Sequence, residues 1–209
     1  MFFDTETDGN GTFRPFGQKV IQVSWTITTF TNRTLETFTT FVRGAAFLKF
    51  NPNGFTMDQI DAGAEPKEVA AAFSEAAERI LANKGRFVAH NIDFDFSAIE
   101  SLGLDVKRFR RRGFCTCQNS RGVCKIKNWR GKGYKLPKMQ ELYNFLFPES
   151  PLQQTHTAND DVDMLRACFF ECRTRRHYPF LLCAHCFESV PKKQKALTNT
   201  CGFYKCATC

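Results

Sequence analysis

Two strand-like runs with almost nothing between them constrain this chain most. Residues 19–30, KVIQVSWTITTF, place Ile21, Val23, Trp25 and Ile27 at alternate positions, the period of a strand with one buried face. Residues 34–43, TLETFTTFVR, form a second run rich in Thr and Phe, and the turn-like TNRT (31–34) is all that separates the two. A join that short makes neighbouring strands antiparallel. With FFDTET (2–7) as a further short strand, the head of the chain predicts an antiparallel meander.

The period then changes. Pro66 opens EPKEVAAAFSEAAERILANKG, where Val69, Phe73, Ala76 and Ile80 recur at helical spacing and Gly85 closes the segment. RFVAH reads as a short strand and DFSAIESLGL as a helix ending near Gly103. After a basic loop, Met139, Leu142, Tyr143 and Leu146 mark a helix stopped by Pro148, and a last long helix runs from about Ala158 to Arg173. The order is β-β-β-α-β-α, a loop, then α-α: an α/β fold with a mixed sheet flanked by helices. Near residue 177 the texture becomes polar, basic and cysteine-rich, so the chain of 209 residues divides into a domain over 1–177 and a small tail over 178–209.

No stretch of roughly 18 apolar residues is present, so no membrane-spanning helix or membrane partner is expected. The start, MFFDTETDGN, turns acidic at once, unlike a secretory signal. These features give an intracellular reading, in cytoplasm or nucleus. In such a reducing compartment the ten cysteines are thiols or metal ligands rather than disulfides.

The formal charge of +8 is uneven: residues 105–138 hold twelve Lys or Arg against the single acid Asp105, with Phe109, Phe114, Trp129 and Tyr134 interleaved. Cations for phosphates and flat rings for bases suit a single-stranded nucleic acid.

The stretch QTHTANDDVDML (153–164) raises the question of which aspartate faces inward. With Ala158 at zero and about 100° per residue, Val162, Leu165, Phe169 and Cys172 cluster within about 40° of zero. Asp161 falls at the edge of that stripe, whereas Asp160 and Asp163 lie on the far side. A carboxylate beside a core needs a partner, and a divalent cation is one. On FFDTET, alternation puts Asp4 and Glu6 on one face and Phe3, Thr5 and Thr7 on the other. Two such carboxylates repel unless a cation lies between them. In AHNIDFDFSAI, after a short strand and before a helix, Asp93 and Asp95 both qualify as a further acid, and spacing does not choose between them.

These three segments together resemble the DEDDh family of 3′–5′ exonucleases, also called DnaQ-like or epsilon-like. The family's D-x-E appears as Asp4-Thr5-Glu6, its H-N-x-x-F-D as His90-Asn91-Ile92-Asp93-Phe94-Asp95, and its H-x-A-x-x-D as His156-Thr157-Ala158-Asn159-Asp160-Asp161. The resemblance selects Asp95, and it selects the same Asp161 as the helical wheel. It covers roughly residues 2–173, including a linker-like CTCQNSRGVCKIKN…GYKLPKMQELYNFLFPE, and stops short of the tail. DGNGTFRPFG and IDAGAEP depart from the family's usual turns at those places.

The resemblance implies an RNase H-like fold and two Mg²⁺ or Mn²⁺ ions held by Asp4, Glu6, Asp95 and Asp161, with His156 as general base. Two ions about 4 Å apart stabilise the attacking water and the leaving 3′ oxygen, and an imidazole of ordinary pKa about 6.5 accepts a proton near neutrality. Thr5 and Thr7 are expected to contact the terminal nucleotide, and His90 to support the second motif. The expected activity is 3′–5′ exonucleolytic hydrolysis of single-stranded DNA ends, in proofreading for a polymerase supplied in trans or in repair. An RNA 3′–5′ exonuclease and a non-catalytic nucleic-acid-binding module are the alternatives.

In the tail, CAHC (183–186) and CATC (206–209) form C-x2-C-x19-C-x2-C. That spacing reads as one structural Zn²⁺ on Cys183, Cys186, Cys206 and Cys209, in a zinc-ribbon-like module. Cys201 is surplus to the set, and a partner for the module stays open. Cys115, Cys117 and Cys124 lack an obvious fourth ligand and are expected to pack as ordinary core residues.

Overall fold

A computed structural model describes residues 1–9, 18–49, 51–129, 131–175 and 177, together with the backbone of four two-residue strands in the tail. Strands β1 (Phe2–Thr7), β2 (Val20–Thr28) and β3 (Thr34–Phe41) are antiparallel neighbours. The β2–β3 turn closes through Thr29 and Arg33, with Asn32 at φ 70°. Two further strands, β4 (Phe87–Ala89) and β5 (Gly113–Cys115), add in parallel on the other side of β1. The sheet order is β3-β2-β1-β4-β5, which makes it mixed and leaves β1 at its centre.

Alternation along the central strands sorts the core into two layers. Phe3, Trp25, Phe87 and Cys115 join one cluster, covered by α2 (Pro66–Ala82), α3 (Ile92–Ser101) and α4 (Lys107–Arg110) through Phe73, Ile80, Phe96 and Phe109. Phe2, Val88 and Phe114 join the other, covered by α6 (Met139–Leu146) and α7 (Ala158–Thr174) through Leu142, Leu146, Leu165 and Phe169. Phe73 meets the rings of Phe3, Trp25 and Phe109, so truncating it to alanine costs about 3–5 kcal/mol.

Several expectations change on the fold. β2 is buried on both faces rather than half-buried, because helices cover both sides of the sheet. Ile21 does not share the setting of Val23, Trp25 and Ile27. The β1–β2 register shifts beside Glu6 and Thr7, and Ile21 packs instead with Ala45, Phe55 and Ile60. Ile60 belongs to α1 (Met57–Asp61), a short helix the sequence pattern does not announce. The basic loop is not a loop throughout: it contains α4, β5 and α5 (Thr116–Cys124). Phe109 and Phe114 are therefore core residues, 0% and 9% exposed, while Trp129 and Tyr134 remain outside.

Cys115, Cys117, Cys124, Cys168 and Cys172 are free thiols, and all but Cys124 are buried. Among the described residues, no helix is long and apolar enough to cross a membrane. Beyond residue 180 the backbone forms two short antiparallel ladders. One pairs β6 (Leu181–Leu182) with β7 (Ser189–Val190), the other β8 (Leu197–Thr198) with β9 (Tyr204–Lys205). Cys183, Cys186, Cys201, Cys206 and Cys209, on which the zinc expectation rests, lie outside the described residues.

Candidate active site

Asp4 and Glu6 have the parity of Phe2 on β1, so they belong to the face that α7 covers. Asp161 is in the first turn of α7, buried, while Asp160 and Asp163 are exposed. One carboxylate oxygen from each of Asp4, Glu6 and Asp161 lies within 4.8 Å of the others. The start of α7 is fixed there by several contacts. Gln22 Oε1, on β2 opposite Glu6, accepts from the Ala158 N–H at 2.8 Å. Thr157 caps the helix by accepting from the Asp160 N–H at 3.3 Å. Asp160 also accepts from the Thr155 hydroxyl at 2.7 Å.

Asp95 arrives from the opposite layer. It lies in the first turn of α3, is 1% exposed, and its Oδ1 accepts from both the Thr5 N–H (3.1 Å) and the Thr5 hydroxyl (3.0 Å). Thr5 has the parity of Phe3, so the two acid sources approach β1 from its two faces. For that reason Asp95 is not part of the tight trio, although its charge acts on Asp4 and Glu6. Asp93, the competing aspartate, is exposed and paired with Arg110.

The electrostatics follow from crowding. Asp4 and Glu6 keep partial access to solvent, yet protein packs densely around them. Desolvation, then repulsion from Asp95, Asp161 and Glu6, pushes the Asp4 carboxyl well above the usual range. Glu6 is pushed up to about 8 by desolvation and by the charges of Asp161 and Asp95. Burial also raises Asp95 to about 8 despite its bonds from Thr5. Burial raises Asp161 too, opposed by the Gln154 hydrogen bond and by His156. Two acceptor atoms, Asp95 Oδ2 and Asp161 Oδ1, are buried without a hydrogen-bond partner. Clustered hard oxygen donors with unused lone pairs fit a divalent cation such as Mg²⁺ or Mn²⁺.

His156 is exposed and precedes the Thr157 cap, with a left-handed backbone (φ 57°). Its carbonyl accepts from Asn53 Nδ2 at 2.7 Å. His90 faces inward: Nε2 donates to the Pro137 carbonyl (2.9 Å), which leaves Nδ1 to accept from the Thr116 hydroxyl (3.0 Å). Burial keeps its ring neutral by lowering its pKa. Thr5 is buried and committed to Asp95, and Thr7 is half-buried at the end of β1. Cys115, Cys117 and Cys124 do not bring ligand atoms together as the carboxylates do.

Gln22, Asn53 and Gln154 have no place in the sequence-based site. Gln154 donates to Asp161 Oδ2 at 2.6 Å, and only its position two residues before His156 hints at a role.

No family model matches the chain, and no curated protein matches it. Solved structures do. A product-bound exonuclease I is similar with a TM-score of 0.60 at 16% identity, over 84% of this chain and 43% of that one. Pop2p of S. pombe, in a Mg²⁺- and Mn²⁺-bound form, gives 0.60 at 14% identity, over 83% and 82%. A 3′-exonuclease, in a structure of 3′-end-specific recognition of histone mRNA stem-loop, gives 0.52 at 16%, over 92% and 90%. The chain thus spans less than half the length of the exonuclease I chain. What it shares with these exonucleases is the RNase H-like fold.

Proposed function

We propose that the chain is a divalent-metal-dependent 3′–5′ exonuclease acting on single-stranded DNA ends. The observation that carries this reading is the meeting of Asp4, Glu6 and Asp161 within 4.8 Å, with the unpartnered Oδ2 of Asp95 supplied from the other layer. Burial and mutual repulsion disfavour four ionised carboxylates in one place unless protons or cations compensate them, which supports a cation-binding role.

In this reading Asp4, Glu6 and Asp161 are the main holders of two Mg²⁺ or Mn²⁺ ions, and Asp95 completes the set. When bound, the ions neutralise phosphate charge and stabilise the entering and leaving oxygens. His156 accepts a proton from the attacking water on an unprotonated ring nitrogen. Its exposed position ahead of the α7 cap gives it access to a strand lying over the acids. The water oxygen bonds to phosphorus as the bond to the upstream 3′ oxygen breaks. That oxygen takes up a proton, and a nucleoside 5′-monophosphate leaves. Thr5 holds Asp95, and Thr5 and Thr7, through side chain or backbone, contact the terminal nucleotide in this reading.

Digestion of end-labelled single strands with Mg²⁺ tests the reading. Mononucleotides should be released from the 3′ end, a blocked 3′ end should protect, and Asp4→Ala and His156→Ala should each abolish release. Full activity in either folded variant removes that residue from the mechanism.

An RNA substrate is the second reading, favoured by the similarity to the 3′-exonuclease that recognises the histone mRNA stem-loop. Matched DNA and RNA strands decide between them. Service to a polymerase in trans, or in repair, is the expected setting of the DNA activity, inside the cell.

For the tail, the C-x2-C-x19-C-x2-C spacing supports one structural Zn²⁺ on Cys183, Cys186, Cys206 and Cys209 in a separate unit over 178–209. Zinc analysis of the purified protein should give one equivalent, lost in Cys183→Ser/Cys206→Ser.

A further inference from the structure

The segment after α5 turns back on itself. Lys125 ends the helix in a left-handed conformation (φ 49°), and residues 126–129 and 131–135 then form the two arms of a hairpin. Its rungs are the Lys127–Tyr134 bridge, Lys135 N–H to Ile126 O at 2.9 Å, and Asn128 N–H to Gly133 O at 3.1 Å. Gly131 (φ 70°) and Gly133 (φ 68°) supply the backbone the tip requires.

This hairpin carries Trp129 at its tip, 85% exposed, with Tyr134 behind it at 45%. An indole so exposed is unusual in a chain whose other tryptophan, Trp25, is 1% exposed and stacked 3.9 Å from Phe38. Lys125, Lys127, Lys132 and Lys138 are exposed around it, and no acidic residue occurs between Lys125 and Lys138. The other half of the basic region differs: Arg108 pairs with Glu78, and Arg110 with Asp93 and Glu100. Lys107, Arg111 and Arg121 are exposed as well, but the exposed rings of the basic region, Trp129 and Tyr134, stand among the lysines of the hairpin.

The base of the hairpin is fastened to the segment that leads into α3. The Pro137 carbonyl accepts from His90 Nε2 (2.9 Å) and from the Cys117 thiol (3.4 Å), and Lys135 pairs with Glu141 at 2.5 Å. His90 immediately precedes Asn91, the cap of α3, whose first turn carries Asp95. Trp129 stands roughly 10 Å beyond the Ile126–Lys135 rung, at about 3.3 Å per residue.

We propose that hairpin 126–135 is a stacking platform for the unpaired strand leading into the acidic site, with Trp129 against a base and Lys127 and Lys132 on the flanking phosphates. Bases stack on aromatic rings irrespective of sequence, and lysines track the backbone. The platform engages nucleotides upstream of the terminal one, so it acts on substrate capture and not on bond cleavage. This rests on the exonuclease reading for the strand's destination, but not for the binding itself.

Binding is therefore measured without cleavage, on the full chain in EDTA, with oligothymidylate and oligouridylate of about 20 nucleotides. Trp129 fluorescence should quench on binding, while Trp129→Ala, left with the buried Trp25, should show no quench. Its Kd should rise about tenfold, the effect of losing one stacked base. Lys127→Glu/Lys132→Glu should weaken binding at least as much and flatten its salt dependence. With Mg²⁺, Trp129→Ala should raise KM on long strands and leave hydrolysis of a dinucleotide unchanged. An unchanged Kd with an unquenched indole, or equal affinity for blunt duplex, overturns the platform. Failure of the wild type to hydrolyse any strand overturns the exonuclease reading instead and leaves the binding result standing.

Discussion

Gln154 donates its side-chain amide to Asp161 Oδ2 at 2.6 Å, while Asp161 Oδ1 is buried with no partner. One oxygen of the carboxylate is thus held in place by Gln154, and one of the two lies within 4.8 Å of oxygens of Asp4 and Glu6. Partners of this kind orient a ligand and are worth about 10–100-fold in metal affinity. Gln154→Ala should weaken Mn²⁺ binding by about tenfold, read by calorimetry, with the fold intact. Tighter binding in the variant would mean that Gln154 only occupies a ligand position, and the orienting role would be lost.

Thr5 does for Asp95 what Gln154 does for Asp161, with two bonds in place of one. Both favour the ionised carboxylate, against a burial that raises it to about 8. Thr5→Val keeps the shape and removes the hydroxyl, so Asp95 should hold its proton to still higher pH. Metal affinity near pH 7 should fall about tenfold, the scale of a hydrogen bond to a charged group. The deficit should shrink as pH rises above 8, and Thr5→Ser should restore it. A deficit that does not vary with pH would point to packing instead.

Much of this arrangement was legible locally. The wheel over Ala158–Cys172 singles out Asp161, and alternation on FFDTET gives Asp4 and Glu6 one face; burial and strand parity follow the same lines. β5 is not legible: three residues that follow a run of arginines carry no period, and Phe114 becomes a core residue only because β4 offers a parallel edge. Ile21 was misplaced because a register shift in β1–β2 breaks the alternation. Asn53 and His156 are 103 residues apart, and no local pattern encodes their contact. Asp95 approaches from the layer opposite Asp161, a relation that only the winding of the chain around β1 creates.

The four raised carboxyls tie stability to pH. The unfolded chain releases these protons near pH 4, whereas Glu6 and Asp95 hold theirs to about 8. Between those values the folded state binds more protons, so metal-free stability should fall as pH rises from about 4 to 8. A divalent ion replaces the protons, so its stabilising effect should be largest near pH 8 and small near pH 5. At an excess of about 100 Kd the gain is about 2.7 kcal/mol, roughly 5–10 °C for a chain of this size. Thermal melts with EDTA and with Mg²⁺ across that range check it. Asp4→Asn should melt higher than the wild type in EDTA at pH 8 and lose the Mg²⁺ effect. A metal-free protein equally stable at pH 5 and pH 8 would sink the account of mutual repulsion.

Asn53 acts on the other side of the site. It reaches from the segment before α1 to the His156 carbonyl, and His156 keeps a backbone (φ 57°) that non-glycine residues rarely adopt. Without the donor, the segment ahead of α7 has less reason to stay in that conformation, and on the proposed reading the imidazole is then no longer held for its role as base. Asn53→Ala should lower kcat about tenfold, with KM and Mn²⁺ affinity close to wild type, because a general base contributes to the chemical step. Asn53→Asp, which removes the amide donor at nearly constant size, should do the same. If Asn53 works only through His156, the double variant with His156→Ala should be no slower than His156→Ala alone. Additive losses would show instead that Asn53 contacts substrate or supports the fold by another route.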